Sequence, residues 1–563
     1  DIRQLAWAKP GKEWQAPRTM SGRTNIDNWF ERQRPLINGK ALTLDAGEWS
    51  LSASVSRDGE HVAVATNHKL HLYDRNGREL WRTAAPATPW QINISDDGRW
   101  IVAAFSDGTL RWYRQPDGSE QLALFPHADG RRWVMWTTSG HFAASPGGEG
   151  LVGWQVERGA AQAADFFPAA RFRKDFYRPA AIAAVFDRAG SGSPAPTVSI
   201  VASLPPTLRI LSPENGDKLD TAHIRLLVKS APDAPTTALK ARINGQPAPL
   251  PPLDDLKVVD SSRPDELVFE VKLPLAAGEN RLLFFAENRH GVSTESALTL
   301  TGPTVSAPPA TADYRPALYV LAIGISAYRD AGIRLEFAAK DSRDLSNYLK
   351  RQEGGLYRKV DVRLLTDDKA TRDDVLDGLE WIRRESTTRD IALVFLAGHG
   401  INDADGTYYF LPQDVDAKRL KRTAVIFTEI RNTLTSLPGK ALFFVDTCHA
   451  GNVLGTGTRG IRNDTTAVIN ELASAENGVI VFAAATGRQY AQESTEWGNG
   501  AFTKAILEGL GGKADYANSG RITHKMLDLY ISERVKQLTE GAQSPVTIVP
   551  NGVPDFPLVL GRR

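Results

Sequence analysis

One cysteine and one histidine have the types and spacing that nucleophilic catalysis requires. Cys448 is the only cysteine of the chain, and His399 lies 49 residues before it. A free thiol has a pKa near 8.5, so it is mostly protonated at neutral pH. A neighbouring imidazole can take that proton and later protonate a leaving amine. The pair therefore predicts covalent catalysis with Cys448 as nucleophile and His399 as general base and acid.

From these residues alone, simpler interpretations stay open. A single cysteine is more often inert and buried than catalytic. A histidine in Gly-His-Gly can be an ordinary turn residue. His449, directly after the cysteine, competes with His399 as the base, although adjacent residues on a strand point to opposite faces.

The surrounding elements indicate how His399 and Cys448 could meet. After residue 316, apolar strand runs alternate with amphipathic helices, which predicts a mostly parallel α/β sheet covered on both faces. One run stops at Gly398-His399-Gly400 and another at Asp446-Thr447-Cys448, and the carboxyl ends of parallel strands gather at one edge. The predicted strands are 318–326, 361–367, 391–400, 440–448 and 478–487, and the predicted helices are 336–352, 371–386, 428–437, 499–510 and 523–539.

Residues 317–563 resemble the caspase-like peptidases, and among them the bacterial relatives of the metacaspases. The resemblance implies a caspase-like fold, endopeptidase activity from a Cys-His dyad, and an oxyanion hole made by the amides of Gly400 and Cys448. One departure from the caspases is Asp-Thr-Cys at the nucleophile in place of Gln-Ala-Cys; metacaspases have Asp-Ser-Cys. The resemblance rests on LYVLAIGISAYRD (318–330), LEFAAKDSRDL (335–345), FLAGHG (395–400), FFVDTCHAG (443–451) and GAFTKAILEGL (500–510).

The same resemblance implies an acidic substrate pocket. Asp341 and Asp446 match the two pocket aspartates of metacaspases, and Glu493 lies roughly where caspases place a pocket arginine. Two carboxylates attract a cationic side chain, so we expect cleavage after Arg or Lys, unlike true caspases. The alternative is that Asp341 caps a helix and Asp446 forms a structural pair. Trp497 is a candidate wall of the neighbouring pocket or an ordinary loop tryptophan.

The segment that follows the nucleophile is a candidate site of regulation. Residues 451–468 are rich in Gly and Thr and carry Arg459 and Arg462. An enzyme that cuts after Arg could process itself there; the alternative is a surface loop that is never cut. Metacaspases are often activated by calcium, but the sequence places no ion. We therefore expect no cofactor and no metal site.

The first 165 residues are repetitive. Gly59, Gly98 and Gly140 each close a turn before an apolar alternating run, at spacings of 39 and 42 residues. A period near 40 with a tryptophan or tyrosine in each unit resembles WD-repeat propeller blades. Only two to three blades fit, and a closed propeller needs about four or more. Either further blades precede this chain, or the ring is incomplete, or the strands form another sheet such as a β-meander.

The middle of the chain predicts a connector, a β module and a linker. Residues 166–205 are rich in Ala, Arg and Pro, and residues 206–302 hold short alternating strands typical of an immunoglobulin-like sandwich. No catalytic cluster is visible in this module, so we interpret it as a spacer or docking module. Residues 303–316 form a linker of Pro, Ala and Thr, and 317–563 is the peptidase-like domain.

Composition narrows the class of protein. The 563 residues carry 67 Lys+Arg and 66 Asp+Glu, a balance that argues against a chain-wide nucleic-acid or membrane-surface binder. No apolar run approaches the ~20 residues of a membrane span, and one cysteine excludes an intrachain disulfide. We expect a multidomain cysteine endopeptidase acting on proteins, with amino-terminal β modules that recognise the substrate or an activating or inhibiting partner. The resemblance associates this architecture with bacterial defence or programmed cell death.

Two further expectations concern location and activity. We expect a cytoplasmic protein, with a periplasmic or secreted location as the alternative. The rival to the enzyme is a binding scaffold whose protease-like domain is inactive; the intact Cys448, His399 and Gly400 argue against that rival.

Overall fold

The computed structural model describes most of the chain and divides it into two compact units, Asp1–Ser203 and Leu204–Arg563. The described residues are 16–157, 164–186, 200–263, 265–303, 313, 315–403, 407–449, 465–474, 476–485 and 491–561, with the backbone alone at 201, 202, 261–263, 448 and 449. Within that part of the chain, no helix is both long and apolar enough to cross a membrane.

The first unit consists of antiparallel sheets, as expected for an all-β region. Its repeated turns are alike: the Ser56 hydroxyl bonds the Asp58 carboxylate, Ser95 bonds Asp97 in the same way, and a glycine with positive φ follows each aspartate. The strand orders are β1–β4, β5–β8, β14-β13-β12-β11-β10-β9 and β15-β16. The strands are β1 (Met20–Ser21), β2 (Thr24–Asp27), β3 (Leu36–Ile37), β4 (Lys40–Ala41), β5 (Ser50–Val55), β6 (His61–Thr66), β7 (Lys69–Asp74), β8 (Glu79–Ala84), β9 (Pro89–Ile94), β10 (Trp100–Phe105), β11 (Leu110–Arg114), β12 (Glu120–Pro126), β13 (Trp133–Trp136), β14 (Phe142–Ala144), β15 (Gly153–Val156) and β16 (Asp165–Pro168).

Two short helices follow in the predicted connector, α1 (Arg173–Phe176) and α2 (Pro179–Ala183). The WD-repeat propeller assignment of this unit stays a prediction.

The second unit begins with a β-sandwich. Two four-stranded antiparallel sheets, in the orders β17-β18-β22-β21 and β20-β19-β23-β24, enclose one apolar core. The nine-residue strands β18 and β22 largely alternate buried residues with more exposed ones, as strands with one solvated face do. The immunoglobulin-like assignment stays a prediction. The strands are β17 (Thr207–Ser212), β18 (Thr221–Lys229), β19 (Ala238–Ile243), β20 (Gln246–Ala248), β21 (Lys257–Arg263), β22 (Glu266–Pro274), β23 (Gly278–Glu287) and β24 (Ser296–Gly302).

The carboxyl-terminal part is a three-layer α/β fold. Its sheet has the order β26-β25-β27-β30-β31-β35, in which the first five strands run parallel and β35 is antiparallel. The elements are β25 (Ala317–Gly324), α3 (Ala338–Lys350), β26 (Lys359–Thr366), α4 (Arg372–Glu385), β27 (Ile391–Asn402), β28 (Tyr408–Phe410), α5 (Leu420–Thr423), β29 (Val425–Ile426), α6 (Phe427–Ser436), β30 (Lys440–His449), α7 (Thr466–Leu472), β31 (Val479–Ala483), β32 (Glu493–Ser494), β33 (Asn499–Gly500), α8 (Ala501–Glu508), β34 (Arg521–Thr523), α9 (His524–Leu538), β35 (Val546–Ile548) and β36 (Pro557–Leu560).

Both faces of this sheet are covered. Helices α4, α6 and α7 pack on one face, and α3, α8 and α9 on the other. The central strands β25 and β27 are buried along their whole length, which explains their continuous apolar runs. The sheet therefore presents the carboxyl ends of its parallel strands as one edge.

Candidate active site

The register of the two central strands places His399 beside Cys448. β27 and β30 pair in parallel from Ile391 opposite Lys440 to Gly400 opposite His449, and His399 is the partner of Cys448 in that register. Both residues lie at the carboxyl ends of their strands, the edge at which parallel sheets form sites. The backbone thus brings the two predicted catalytic residues together. The side chains of Cys448 and His449 lie outside the described atoms.

The His399 ring is held from one side. Its side chain is 4% exposed, and Nε2 lies 2.9 Å from the carbonyl oxygen of Ile333. Because a carbonyl only accepts hydrogen bonds, this contact selects the tautomer with its proton on Nε2 and its lone pair on Nδ1. Tyr328 packs against the ring at 5.1 Å between centroids, and its hydroxyl accepts the His399 backbone N–H at 2.8 Å. These contacts fix the orientation of the imidazole ring.

The two glycines that flank His399 are required by packing. A Cβ at Gly398 would lie 2.7 Å from the Tyr328 hydroxyl, and a Cβ at Gly400 would overlap the Tyr408 hydroxyl. Tyr408 in turn donates a hydrogen bond to Thr447 Oγ1 at 3.1 Å. The sequence analysis assigned the Gly400 amide to the oxyanion hole, and this contact is a separate reason for a glycine at that position. The oxyanion-hole assignment of Gly400 and Cys448 stays a prediction.

A recess lined by three carboxyl groups lies beside this strand pair. Asp341 comes from the first turn of α3, Asp446 from β30 and Glu493 from β32. We call this recess the acidic recess. It is lined by Leu335, Ala338, Asp341, Ala397, Gly398, Asp446, Ala491, Gln492, Glu493 and Gly500. The structure thus brings the three predicted pocket residues together.

Hydrogen bonds fix the carboxyl groups of the acidic recess. Asp341 accepts the Asn499 side-chain amide at 2.8 Å and the Gly500 N–H at 3.1 Å. Asp446 accepts the Thr503 hydroxyl at 3.4 Å. A Cβ at Gly500 would lie 3.0 Å from Asp341 Oδ2 and 3.3 Å from Asp446 Oδ2, so both carboxylates face the same point. Asp341 does not cap helix α3, whose N-cap is Phe337.

Glu493 has a structural bond as well as its place in the recess. Its Oε2 accepts the Glu336 backbone N–H at 3.0 Å, just before helix α3 begins. A carboxylate near the amino end of a helix is favoured by the helix dipole. The third carboxyl group therefore also holds the start of α3 in place.

Burial makes the ionised forms of these carboxyl groups costly. Burial, together with the nearby Asp446 charge, raises the pKa of Asp341 to about 8. Burial and the Glu493 charge raise the pKa of Asp446 to about 7, and burial also raises the pKa of Glu493. None of the leading causes of these shifts is a cation among the described residues. A cationic group that entered the recess would relieve the repulsion between the ionised carboxylates.

The remaining predicted residues fall outside the recess or outside the described part. Trp497 lies in the turn between β32 and β33 and packs partly buried against the core beneath α3 and α8, away from the recess lining. Arg459 and Arg462 lie outside the described residues. Among those that the structure does describe, no group of three His, Cys, Asp or Glu could hold a metal ion. Calcium activation stays a prediction.

Two contacts of the candidate site could not be predicted from the sequence. The Ile333 carbonyl is a backbone group, so no residue type signals it. Asn499 donates to Asp341 and to Asp344, at 2.8 and 2.9 Å, and links both to the hairpin of β32 and β33. Its only sequence signal is a position just before the GAFTKAILEGL segment.

Comparison with known families identifies the carboxyl-terminal part of the chain. Residues 317–549 match the family model described as Caspase domain. This part of the chain is a caspase domain. Its mostly parallel sheet and the all-β character of the amino-terminal unit agree with the fold class expected from the sequence.

Comparisons with curated proteins and solved structures add little to the assignment of the caspase domain. No curated protein matches the chain. A crystal structure of a protein from Geobacter sulfurreducens is 16% identical and covers 44% of this chain and 100% of its own, with a TM-score of 0.32. A likeness at that score bears on neither fold nor function.

Proposed function

We propose that this chain is a cysteine endopeptidase that cleaves proteins after Arg or Lys. The observation that carries the proposal is the pairing of His399 with Cys448 next to the acidic recess. Ala397 pairs with Asp446 two residues earlier on the same two strands. At about 3.3 Å per residue, the recess aspartate lies about 7 Å along the strands from the nucleophile. This spacing suits a pocket for the side chain whose carbonyl is attacked.

The reaction follows from the residue types. His399 takes the Cys448 proton, and the thiolate attacks the scissile carbonyl carbon to form a tetrahedral intermediate. The Gly400 and Cys448 amides are proposed to donate to its oxyanion. The imidazolium then protonates the amine as the C–N bond breaks, leaving a thioester. Water attacks the thioester with His399 as base, and the thiol is restored.

The acidic recess supplies the selectivity. One ion pair at ~4 Å has a gross attraction of about 4 kcal/mol at an intermediate dielectric constant, before desolvation of both groups. The recess offers up to three carboxyl groups to one guanidinium or ammonium. The same field repels aspartate, the residue after which true caspases cut. The proposal is therefore cleavage after basic residues within a caspase fold.

Control of the peptidase is a separate part of the proposal. We assign the amino-terminal β sheets to recognition of an activating or inhibiting protein, and Arg459 or Arg462 to self-processing. The self-processing assignment comes from the two arginines of residues 451–468, and the partner assignment is our own hypothesis. Only a role in bacterial defence or cell death comes from the family resemblance. The support for both assignments is that an uncontrolled protease would damage its host.

Peptide cleavage tests the function directly. Purified protein is incubated, with and without calcium, with fluorogenic peptides that end in Arg, Lys or Asp, and Cys448→Ala is the matched control. We expect release after Arg and Lys that the variant loses. Cleavage after Asp that the variant loses would contradict the predicted preference for basic residues, but it would still support catalysis by Cys448. If neither peptides nor a thiol-reactive peptide probe reacts at Cys448, with or without calcium, the scaffold is the better description.

The raised pKa values predict that binding of a cation depends on pH. With pKa values of about 8 for Asp341 and about 7 for Asp446, the recess gains negative charge as the pH rises through 7 and 8. We expect the inhibition constant of a cationic inhibitor such as benzamidine to fall at least about tenfold between pH 6 and pH 8.5. Measuring inhibition constants separates this effect from titration of the dyad. A constant that does not change across this range would contradict the buried, protonated recess.

A further inference from the structure

The β-sandwich reaches into the caspase domain through a buried arginine. Arg242 lies on β19 and is 6% exposed. Its Nη1 donates to the carbonyl oxygens of Glu476 and Asn477 at 3.1 and 2.9 Å. Nε and Nη2 donate to the Gly245 carbonyl of its own hairpin at 3.1 and 2.8 Å. One guanidinium therefore joins a sandwich hairpin to the turn that precedes β31.

The turn packs closely against the guanidinium. Gly478 has φ +67°, and a Cβ there would overlap the Arg242 guanidinium. Burial lowers the pKa of Arg242 to about 10, against the opposing effect of the Glu476 charge, so the side chain stays charged near neutral pH. The carbonyl oxygens that accept from the guanidinium solvate this charge. Removing the guanidinium would leave these partly buried carbonyls without their donors.

This turn is tied to helix α7. The Asn477 side-chain amide donates to the Glu471 carbonyl at 2.7 Å and to Ser474 Oγ at 3.1 Å. The Glu471 carboxylate pairs with Arg431 of α6 at 2.7 Å. α7 is the first element after the nucleophile strand in the part of the chain that the structure describes. Arg242 thus contacts the turn that follows α7, and that turn is bonded back to the helix.

Other contacts place the β-sandwich at the same edge of the caspase-domain sheet as the Arg242 contact. The Gln246 side-chain amide donates to the Thr388 carbonyl at 2.6 Å, just before β27. A Cβ at Gly552, after β35, would lie 2.7 Å from Leu283 Cδ1 of the sandwich. These loops lie at the amino ends of β27 and β31 and at the end of antiparallel β35. All are opposite the edge that carries His399 and Cys448.

We propose that Arg242 is a positioning residue of the peptidase, through which the β-sandwich fixes the turn before β31 and helix α7. On this proposal the β-sandwich contributes to catalysis by positioning part of the caspase domain, whereas the sequence suggested a spacer or docking module. The inference rests on the proposed peptidase function for its effect on catalysis. The structural claim, that Arg242 keeps helix α7 ordered, does not depend on the peptidase function.

The test uses full-length protein with Arg242→Ala and Arg242→Lys, and with Arg225→Ala as the control. Arg225 is an exposed arginine of the other sandwich sheet. We expect Arg242→Ala to lower kcat for an Arg peptide about 10- to 100-fold with KM little changed, because no residue of the recess comes from this segment. Hydrogen–deuterium exchange of the α7 amides should become at least about tenfold faster. For Arg242→Lys, we expect kcat and the α7 exchange rate to lie between those of the wild type and of Arg242→Ala. A lysine can donate hydrogen bonds but lacks the fork geometry of a guanidinium.

Chemical rescue separates positioning from general destabilisation. Millimolar methylguanidinium, which fits the space left by Arg242→Ala, should restore part of kcat and of α7 protection, and methylammonium should restore less. Unchanged kcat in an active enzyme, or lost kcat that methylguanidinium does not restore, would overturn the proposal. If the wild type cleaves no peptide, the proposed function fails, and α7 exchange alone decides: unchanged protection overturns this inference. If Arg242→Ala does not fold, the same two measurements on Arg242→Lys decide.

Discussion

Replacing Asp446 with Asn should lower kcat/KM for Arg and Lys peptides about 100-fold. The change removes one buried charge and keeps the side-chain shape, including an oxygen that can accept the Thr503 hydroxyl. Truncating one partner of a buried charge pair costs about 2–5 kcal/mol, and each 1.4 kcal/mol is tenfold. Peptides with a neutral residue at the cleavage position should be affected much less. The measured quantity is the ratio of kcat/KM for basic and neutral peptides.

Asp344→Asn is the matched control for that experiment. Asp344 lies one turn after Asp341 on α3 and shares the Asn499 amide with it, but it is not part of the recess lining. We expect the control to keep its preference for basic peptides. If Asp446→Asn also keeps the wild-type ratio, the acidic recess does not select the substrate.

The same substitution has a consequence for stability. The folded-state pKa of Asp446 is raised, so the folded protein binds a proton more tightly than the unfolded chain does. Ionisation therefore reduces the free energy of unfolding as the pH rises from about 4 through 7. An asparagine side chain does not titrate, so the Asp446→Asn variant should lose less stability over that range. A gain in stability with a loss of activity is typical of a residue kept for function.

The sequence predicted those elements whose signals are local. Strands β25, β27 and β30 are buried, continuous apolar runs, and their observed bounds lie within about two residues of the prediction. Helix α7 was missed because only seven residues form it and a Gly- and Thr-rich segment precedes it. The edge strand β35 has three half-buried residues and so gives almost no pattern.

Site residues were predictable where a motif carries them. Asp341, Asp446, His399 and Cys448 each stand in a short segment that resembles a known family, and the fold brings them to one place. The Ile333 carbonyl and Arg242 depend on contacts between distant segments. A backbone carbonyl has no residue type, and Arg242 on a strand resembles an ordinary surface cation until its partner turn is known.

His399→Ala should lower kcat about 10³-fold for any peptide that the wild type cleaves. The residue supplies proton transfer in both halves of the proposed reaction, and such a role is worth about 10²–10⁴-fold. The Ile333 contact leaves the lone pair of the neutral ring on Nδ1, where it can accept a proton. His449→Ala is the control, and it should keep most of the activity because His399 carries the base.

The chemistry of Cys448 gives an independent measure of the same role. The chain has one cysteine, so the rate of alkylation by iodoacetamide reports on Cys448 alone. If His399 stabilises the thiolate, the wild type should react well below pH 8.5, and His399→Ala should follow the titration of a free thiol. Identical pH profiles in the two proteins would show that His399 does not act on the thiol. A shifted profile in His449→Ala and not in His399→Ala would assign the base to His449.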